Sequence, residues 1–149
     1  MEWPFPDASF DASTVEGSHC AAGDCELRGT GPTPLGGSLE ATFDYLSPVV
    51  SCDSAKACRS YTTILLTDGA ESCDGDAAAA AAALFAGIDG KSIATYVIGF
   101  SVLPTEQAEL NAIAAAGGTT QAFFVQSKSE LANALAQIIG ENQVFELCN

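Results

Sequence analysis

The chain has 149 residues, which is enough for one domain with a sizeable core. Its 19 acidic residues oppose 5 basic ones, and the formal net charge is −14. A field of this sign repels phosphate groups, which argues against nucleic acid as a partner and disfavours anionic membranes. The longest apolar stretch, residues 77–88, is too short to cross a bilayer, so membrane insertion is not expected.

An even set of six cysteines favours disulfide bonds and an oxidising compartment. Zinc is the alternative, but the cysteine spacings are irregular and His19 is the only histidine. Proximity along the chain pairs Cys20 with Cys25 and Cys52 with Cys58, and we predict the second of these bridges. No export signal is visible at the start of the chain. We therefore expect an excerpt of a longer secreted, cell-surface or periplasmic protein, in whose missing part Cys73 or Cys148 has lost a partner.

Residues 1–30 form an irregular segment that is rich in Pro, Gly, Ser and Asp. Apolar residues at helical spacing then predict a helix over residues 35–47, which Pro48 should end. A β-branched apolar run at residues 62–67 predicts a buried strand. Asp76 is placed to cap an alanine-rich helix that reaches a turn at residues 89–90.

Strand and helix patterns alternate through the rest of the chain. Residues 93–100 predict a strand, Thr105 and Glu106 open a helix that ends at residues 117–118, and a third strand follows at residues 122–125. Ser127 and Glu130 predict a capping box before a last helix, which Gly140 should close. The alternation predicts an α/β fold with a parallel sheet between helices. We place this domain at residues 31–140 and a tail at residues 141–149.

Ligands of open parallel sheets bind beyond the carboxyl ends of the strands. Asp68 directly follows the strand at residues 62–67, and Gly69 permits a sharp turn, so Asp68 is the best candidate for a site. Thr33 precedes the first helix and is the second candidate, with helix capping as its alternative role. Three more acids follow Asp68 without EF-hand spacing, and we expect them to be solvated: Glu71, Asp74 and Asp76.

The sequences Thr-Pro-Leu-Gly at residues 33–36 and Thr-Asp-Gly at residues 67–69, in this order, resemble von Willebrand factor A-type (vWA) domains. The resemblance covers about residues 29–140. It includes vWA domains of secreted bacterial surface proteins and type IV pilus-tip adhesins, in which cysteines often flank the Thr-Asp-Gly strand. Cys52, Cys58 and Cys73 fit that pattern.

The resemblance implies a three-layer Rossmann-like fold with a metal-ion-dependent adhesion site. Thr33 and Asp68 would then ligate Mg²⁺ or Mn²⁺, with one position left for an acidic group on a protein ligand. It implies an adhesion or ligand-binding module and not an enzyme. The family's Asp-x-Ser-x-Ser motif is not found after an apolar strand, although residues 7–11 and 11–15 each match two of its three positions. We therefore expect the N-terminal strands to lie upstream of this chain and the metal site to be incomplete in it.

Two other functions stay open. A metal-independent structural or protein-interaction module would account for the missing motif. A Mg²⁺-dependent phosphotransfer enzyme could use Asp68 as its nucleophile, but an Asp-x-Asp loop and a nearby lysine are not in place.

Overall fold

A computed structural model of the protein describes residues 32–142. The helices of this part are α1 (Leu35–Cys52), α2 (Ala77–Ala86), α3 (Gln107–Ala116) and α4 (Lys128–Glu141), and the strands are β1 (Thr62–Thr67), β2 (Ala94–Phe100) and β3 (Phe123–Val125). A short 3-10 helix lies at Lys56–Cys58. The predicted irregular segment 1–30, most of the predicted tail, and Cys20, Cys25 and Cys148 lie outside the described residues.

The three strands form one parallel sheet in the order β1-β2-β3. Thr67 of β1 is level with Gly99 of β2, and Phe100 of β2 is level with Val125 of β3. The strands therefore end at the same side of the sheet. This side, with the loops that follow the three strands, is called the carboxyl edge. The prediction of a mixed α/β fold with a parallel sheet is confirmed.

Helices cover both faces of the central strand β2. Val97 belongs to a core that it shares with the apolar residues of α1, α2 and α3. Its neighbour Ile98 points to the opposite face and packs with Ala134 and Ile138 of α4. Because successive side chains of a strand alternate between faces, β2 is buried on both sides and the described residues form three layers.

Two predicted helix caps are present. The Asp76 carboxylate accepts from Ala79 N at 2.8 Å, which begins the alanine-rich helix α2. The Ser127 hydroxyl accepts from Glu130 N at 3.2 Å and begins α4. The carboxylate of Glu130 accepts from Gln126 N and not from Ser127 N, so only half of the predicted capping box forms. Helix α4 also continues through Gly140, which was expected to close it.

The prediction that Pro48 ends the first helix was wrong, because α1 continues to Cys52. A proline inside a helix costs about 3 kcal/mol, since it has no N–H for the carbonyl four residues earlier. Val50 lies beyond the proline and is 0% exposed. Burial of a valine contributes roughly 1.5–3 kcal/mol, which offsets much of the cost of Pro48. Packing of the helical turn after Pro48 therefore outweighs the tendency of proline to end a helix.

Strand β1 was predicted to be buried, but its outward face is exposed within the described structure. Ile64 and Leu66 are 41% and 54% exposed, whereas Thr67 is buried. Helix α4 packs on β2 and β3, and the Asn142 that follows it reaches only the start of β1 through a hydrogen bond with Thr62. The apolar run indicated a strand, but it does not by itself say which of its faces a helix covers.

The predicted Cys52–Cys58 disulfide does not form. Cys58 is disulfide-bonded, whereas Cys52 and Cys73 are free and exposed, so the partner of Cys58 is neither of them. The residues between Cys52 and Cys58 fold into a compact turn in which Asp53 accepts from Ala55 N at 2.8 Å. Closeness along the chain does not align two side chains for a bond that requires close Cβ atoms.

The continuation of α1 beyond Pro48 predicts different effects at two neighbouring valines. We expect Val50→Ala to lower the free energy of unfolding by about 2 kcal/mol, because it removes two buried methyl groups from a packed core. The matched variant Val49→Ala should change it by less than about 0.5 kcal/mol, since Val49 is 42% exposed. Urea denaturation measures both values, and equal effects would contradict the observed helix.

The cysteine pattern predicts which thiols react in the native protein. Iodoacetamide added without reductant should alkylate Cys52 and Cys73, because both are free and exposed. It should leave Cys58 unmodified until a reductant is added. Peptide mapping by mass spectrometry gives the result, and alkylation of Cys58 in the native state would contradict the assignment.

Candidate functional site

The loop that carries Thr33 lies directly against the loop that follows β1. Thr33 N donates to the Ser72 hydroxyl at 2.5 Å, and Ser72 N donates to Thr33 O at 3.0 Å. This reciprocal pair holds the two backbones side by side. The loops of the two predicted site residues, Thr33 and Asp68, are therefore adjacent at the carboxyl edge.

A tight turn presents Asp68 at the end of β1. The Thr67 hydroxyl donates to Gly69 O at 2.7 Å, and Gly69 N is 3.2 Å from the same hydroxyl. These contacts close the chain around Asp68, whose side chain is exposed. Within residues 32–142, neither the Asp68 carboxylate nor the Thr33 hydroxyl has a hydrogen-bond partner. Both groups are therefore available to a ligand.

The alternative role of Thr33, as the cap of α1, is not seen. The N-cap position is Pro34, and no side chain at that position caps the helix. The acceptor for the first turn comes instead from the loop after β1, because Gly36 N donates to Glu71 Oε2 at 2.5 Å. A carboxylate at a helix N-terminus also interacts favourably with the helix dipole.

Glu71 is a centre of hydrogen bonds and not the solvated residue that the sequence predicted. Its second oxygen, Oε1, accepts from Cys73 N at 2.7 Å. Its own N–H donates to Glu109 Oε1 of α3 at 2.9 Å. The hydrogen bond from Gly36 N lowers the pKa of the Glu71 carboxyl below its ordinary value. Burial acts in the opposite direction, and N–H groups of the loop after β1 lower the pKa further. Glu71 thus stays ionised at neutral pH and joins α1, its own loop and α3.

Glycine on both sides allows the close approach of α1 to this loop. A Cβ added to Gly36 would lie 3.0 Å from the Cα of Gly75, and one added to Gly75 would lie 3.2 Å from the Cα of Gly36. Such distances are shorter than ordinary van der Waals contact, and these two Cα atoms cannot rotate away. The Cβ on Gly75 would also lie 3.2 Å from Glu71 Oε2. Glycine at position 36 therefore suits the backbone contact, whereas the hydrogen bond to Glu71 comes from the main-chain N–H and is open to any residue except proline.

A third loop brings Glu106 to the same edge. A Cβ placed on Gly69 would lie 3.8 Å from both Thr33 Oγ1 and Glu106 Oε1, so these two oxygens are within twice that distance of each other. The other oxygen of Glu106 accepts from Leu103 N at 2.8 Å. Sequence reasoning treated Glu106 as a helix opener only. The rule that identified Asp68, a polar residue beyond a strand end, also applies to the loop after β2 and could have found it.

Other acids near Asp68 are less suited to a ligand. The Asp76 carboxylate caps α2, and both oxygens of Glu71 accept backbone N–H groups. Asp74 is exposed in a left-handed backbone conformation. Within residues 32–142 no three His, Cys, Asp or Glu side chains form a group that could hold a metal ion.

The donors that remain are oxygens, namely the Thr33 hydroxyl, the Asp68 carboxylate and Glu106 Oε1. A hydroxyl with carboxylates is the donor chemistry that hard cations such as Mg²⁺ and Mn²⁺ take, and it does not suit a metal that selects thiolate or imidazole. The residues present therefore fit Mg²⁺ or Mn²⁺ by donor type.

Comparison of the chain with family models, with curated proteins and with solved structures found no match. In the part of the chain that the structure describes, no helix combines the length and the apolar character needed to cross a membrane. A function for this chain is therefore proposed from the geometry of the carboxyl edge.

The contact between Gly36 and Gly75 predicts opposite effects at two adjacent glycines. Gly37→Ala should raise the free energy of unfolding by about 0.5–1 kcal/mol, because Gly37 lies in the helix with open space around it. Gly36→Ala should lower it by about 1–3 kcal/mol, since the new methyl group meets backbone atoms. Chemical denaturation of both variants gives the comparison, and stabilisation by Gly36→Ala would show that the contact does not form.

Proposed function

We propose that the chain is an extracytoplasmic protein-binding module of the vWA type, in which Thr33 and Asp68 hold a divalent cation, Mg²⁺ or Mn²⁺. The observation that carries the proposal is the hydrogen-bonded pairing of the Thr33 loop with the loop after β1. It leaves a hydroxyl and a carboxylate without other partners at the same sheet edge. The module is an adhesion or ligand-binding unit and not an enzyme.

Thr33 and Asp68 have different tasks in this site. The Thr33 hydroxyl is a neutral donor that adds no charge, and its backbone is fixed by two hydrogen bonds to Ser72. Asp68 supplies negative charge from an exposed position. A cation bound by so few charged groups stays electrophilic and can accept an acidic side chain of a protein partner. Glu106 lies beside Gly69 and is available as a further oxygen donor.

The charge distribution supports a requirement for a cation. Seven acids follow the strand ends or begin the next helices at the carboxyl edge: Asp68, Glu71, Asp74, Asp76, Glu106, Glu109 and Glu130. Their combined field repels an acidic partner. A divalent cation between the module and the partner reverses that repulsion locally, so binding of an acidic group should depend on the metal.

Disulfide chemistry supports the location. Cys58 is disulfide-bonded, and such bonds persist in oxidising compartments. A secreted, cell-surface or periplasmic protein is therefore proposed. A metal-independent interaction module is the alternative that the metal-binding experiment separates from this function.

Electron paramagnetic resonance of Mn²⁺ tests the site, because bound Mn²⁺ loses the signal of the free aqueous ion. The unmodified chain should bind Mn²⁺, although less tightly than a complete site of the family would, and Asp68→Ala or Thr33→Ala should weaken binding by more than about tenfold, because each removes an oxygen donor. The control Asp74→Asn removes one charge from the same loop and should leave the affinity within about twofold, the difference expected from an exposed charge. Asp68→Ala should change the free energy of unfolding by less than about 0.5 kcal/mol, since the side chain is exposed.

Absence of Mn²⁺ binding by the unmodified chain would reject the proposed site. Equal weakening by Asp68→Ala and Asp74→Asn would show general charge attraction and not ligation.

A further inference from the structure

We propose that Glu71 is a positioning residue that fixes the Thr33 loop against the Asp68 loop and so sets the geometry of the cation site. The inference rests on the proposed function. Glu71 would not touch the cation. It would act by holding α1 and the loop after β1 in one arrangement before any ligand arrives.

The first support is the position of Glu71 relative to α1. This helix begins after Pro34 and has neither a side-chain cap of its own nor an acid in its first turn. Glu71 lies 35 residues away along the chain and supplies the missing acceptor to Gly36 N. This contact fixes the distance between α1 and the loop after β1. A capping residue within α1 would not fix that distance.

The second support is that both carboxylate oxygens are used. Oε2 accepts from Gly36 N and Oε1 accepts from Cys73 N, at 2.5 and 2.7 Å. Hydrogen bonds of a charged carboxylate with backbone N–H groups are stronger than neutral ones. A cation would have to displace them, which makes Glu71 a poor ligand. The same bonds allow Glu71 to fix the main chain of α1 next to that of its own loop.

The third support is that Glu71 is itself held. Its N–H donates to Glu109 of α3, and the adjacent Ser72 exchanges two hydrogen bonds with Thr33. Gly36 and Gly75 meet at the same contact without side chains between them. Loss of the Glu71 carboxylate would therefore loosen the first turn of α1 and leave Thr33 held only by its two hydrogen bonds with Ser72. Asp68 is fixed separately by the Thr67 turn.

Amide hydrogen exchange of the unmodified chain, measured by NMR without metal, tests the contact directly. The Gly36 and Gly37 amides both lie in the first turn of α1, but only Gly36 donates to Glu71. We expect the Gly36 amide to exchange at least about tenfold more slowly than the Gly37 amide, because a hydrogen bond to a charged group must open first. Equal exchange of the two amides would overturn the inference.

Affinity for Mn²⁺ tests the consequence for the site. Glu71→Gln keeps the size of the side chain but places an NH₂ group against one backbone N–H, and it should weaken Mn²⁺ binding by about 10- to 100-fold, as loss of groups that orient ligands does. Asp74→Asn is the matched control, since it also removes one charge from this loop and should leave the affinity within about twofold. If Glu71 acts through Thr33, Glu71→Gln should have much less effect on affinity in a Thr33→Ala background. A purely structural role would give the same loss in both backgrounds.

Each result bears on one proposal. If the unmodified chain does not bind Mn²⁺, the proposed function fails, and the Gly36 amide alone decides whether Glu71 fixes the loop. If the unmodified chain binds Mn²⁺ and Glu71→Gln binds it equally well, the positioning role is overturned while the site stands. If Glu71→Gln does not fold, the exchange rates of the unmodified chain still decide the inference.

Discussion

The parallel pairing of β1 with β2 is the constraint on which the carboxyl edge depends. Level pairing of Thr67 with Gly99 brings the loops after two strands to one side of the sheet. From the first loop, Glu71 then reaches the first turn of α1 and Ser72 reaches the segment before it, and Glu106 reaches Gly69 from the second loop. An antiparallel neighbour would have sent one of these loops to the opposite edge. The contacts of the candidate site therefore depend on the parallel direction of β1 and β2.

Sequence patterns predicted the elements better than their ends or their burial. The alternation of apolar strands with capped helices gave the α/β class, and Asp76 and Ser127 cap the helices that they were expected to cap. Pro48 was misread because its cost is local while the burial of Val50 that offsets it is tertiary. The exposure of Leu66 was missed for a related reason. A strand pattern records apolar side chains but not the helix that covers them.

The candidate site divides into residues that sequence could predict and residues that it could not. Asp68 follows a strand end, and Thr33 precedes a helix, so each has a local signal. Glu71 has none, because its role arises from the approach of Gly36 across 35 residues of chain. The Cys52–Cys58 bridge failed in the opposite way, since short separation was taken as spatial closeness. Both errors come from contacts that depend on the folded path and not on chain distance.

The same field that makes the carboxyl edge attractive to a cation would also push its carboxylates apart. The fold limits this repulsion by giving Glu71 and Asp76 backbone N–H groups at the starts of α1 and α2, where the helix dipoles are positive. Glu106 receives one from Leu103. Within the described residues, Asp68 and Asp74 receive none, so their charges are the ones that the backbone leaves without compensation. Of these two residues, Asp68 directly follows β1 and precedes Gly69, to which the unengaged Thr33 hydroxyl is also close.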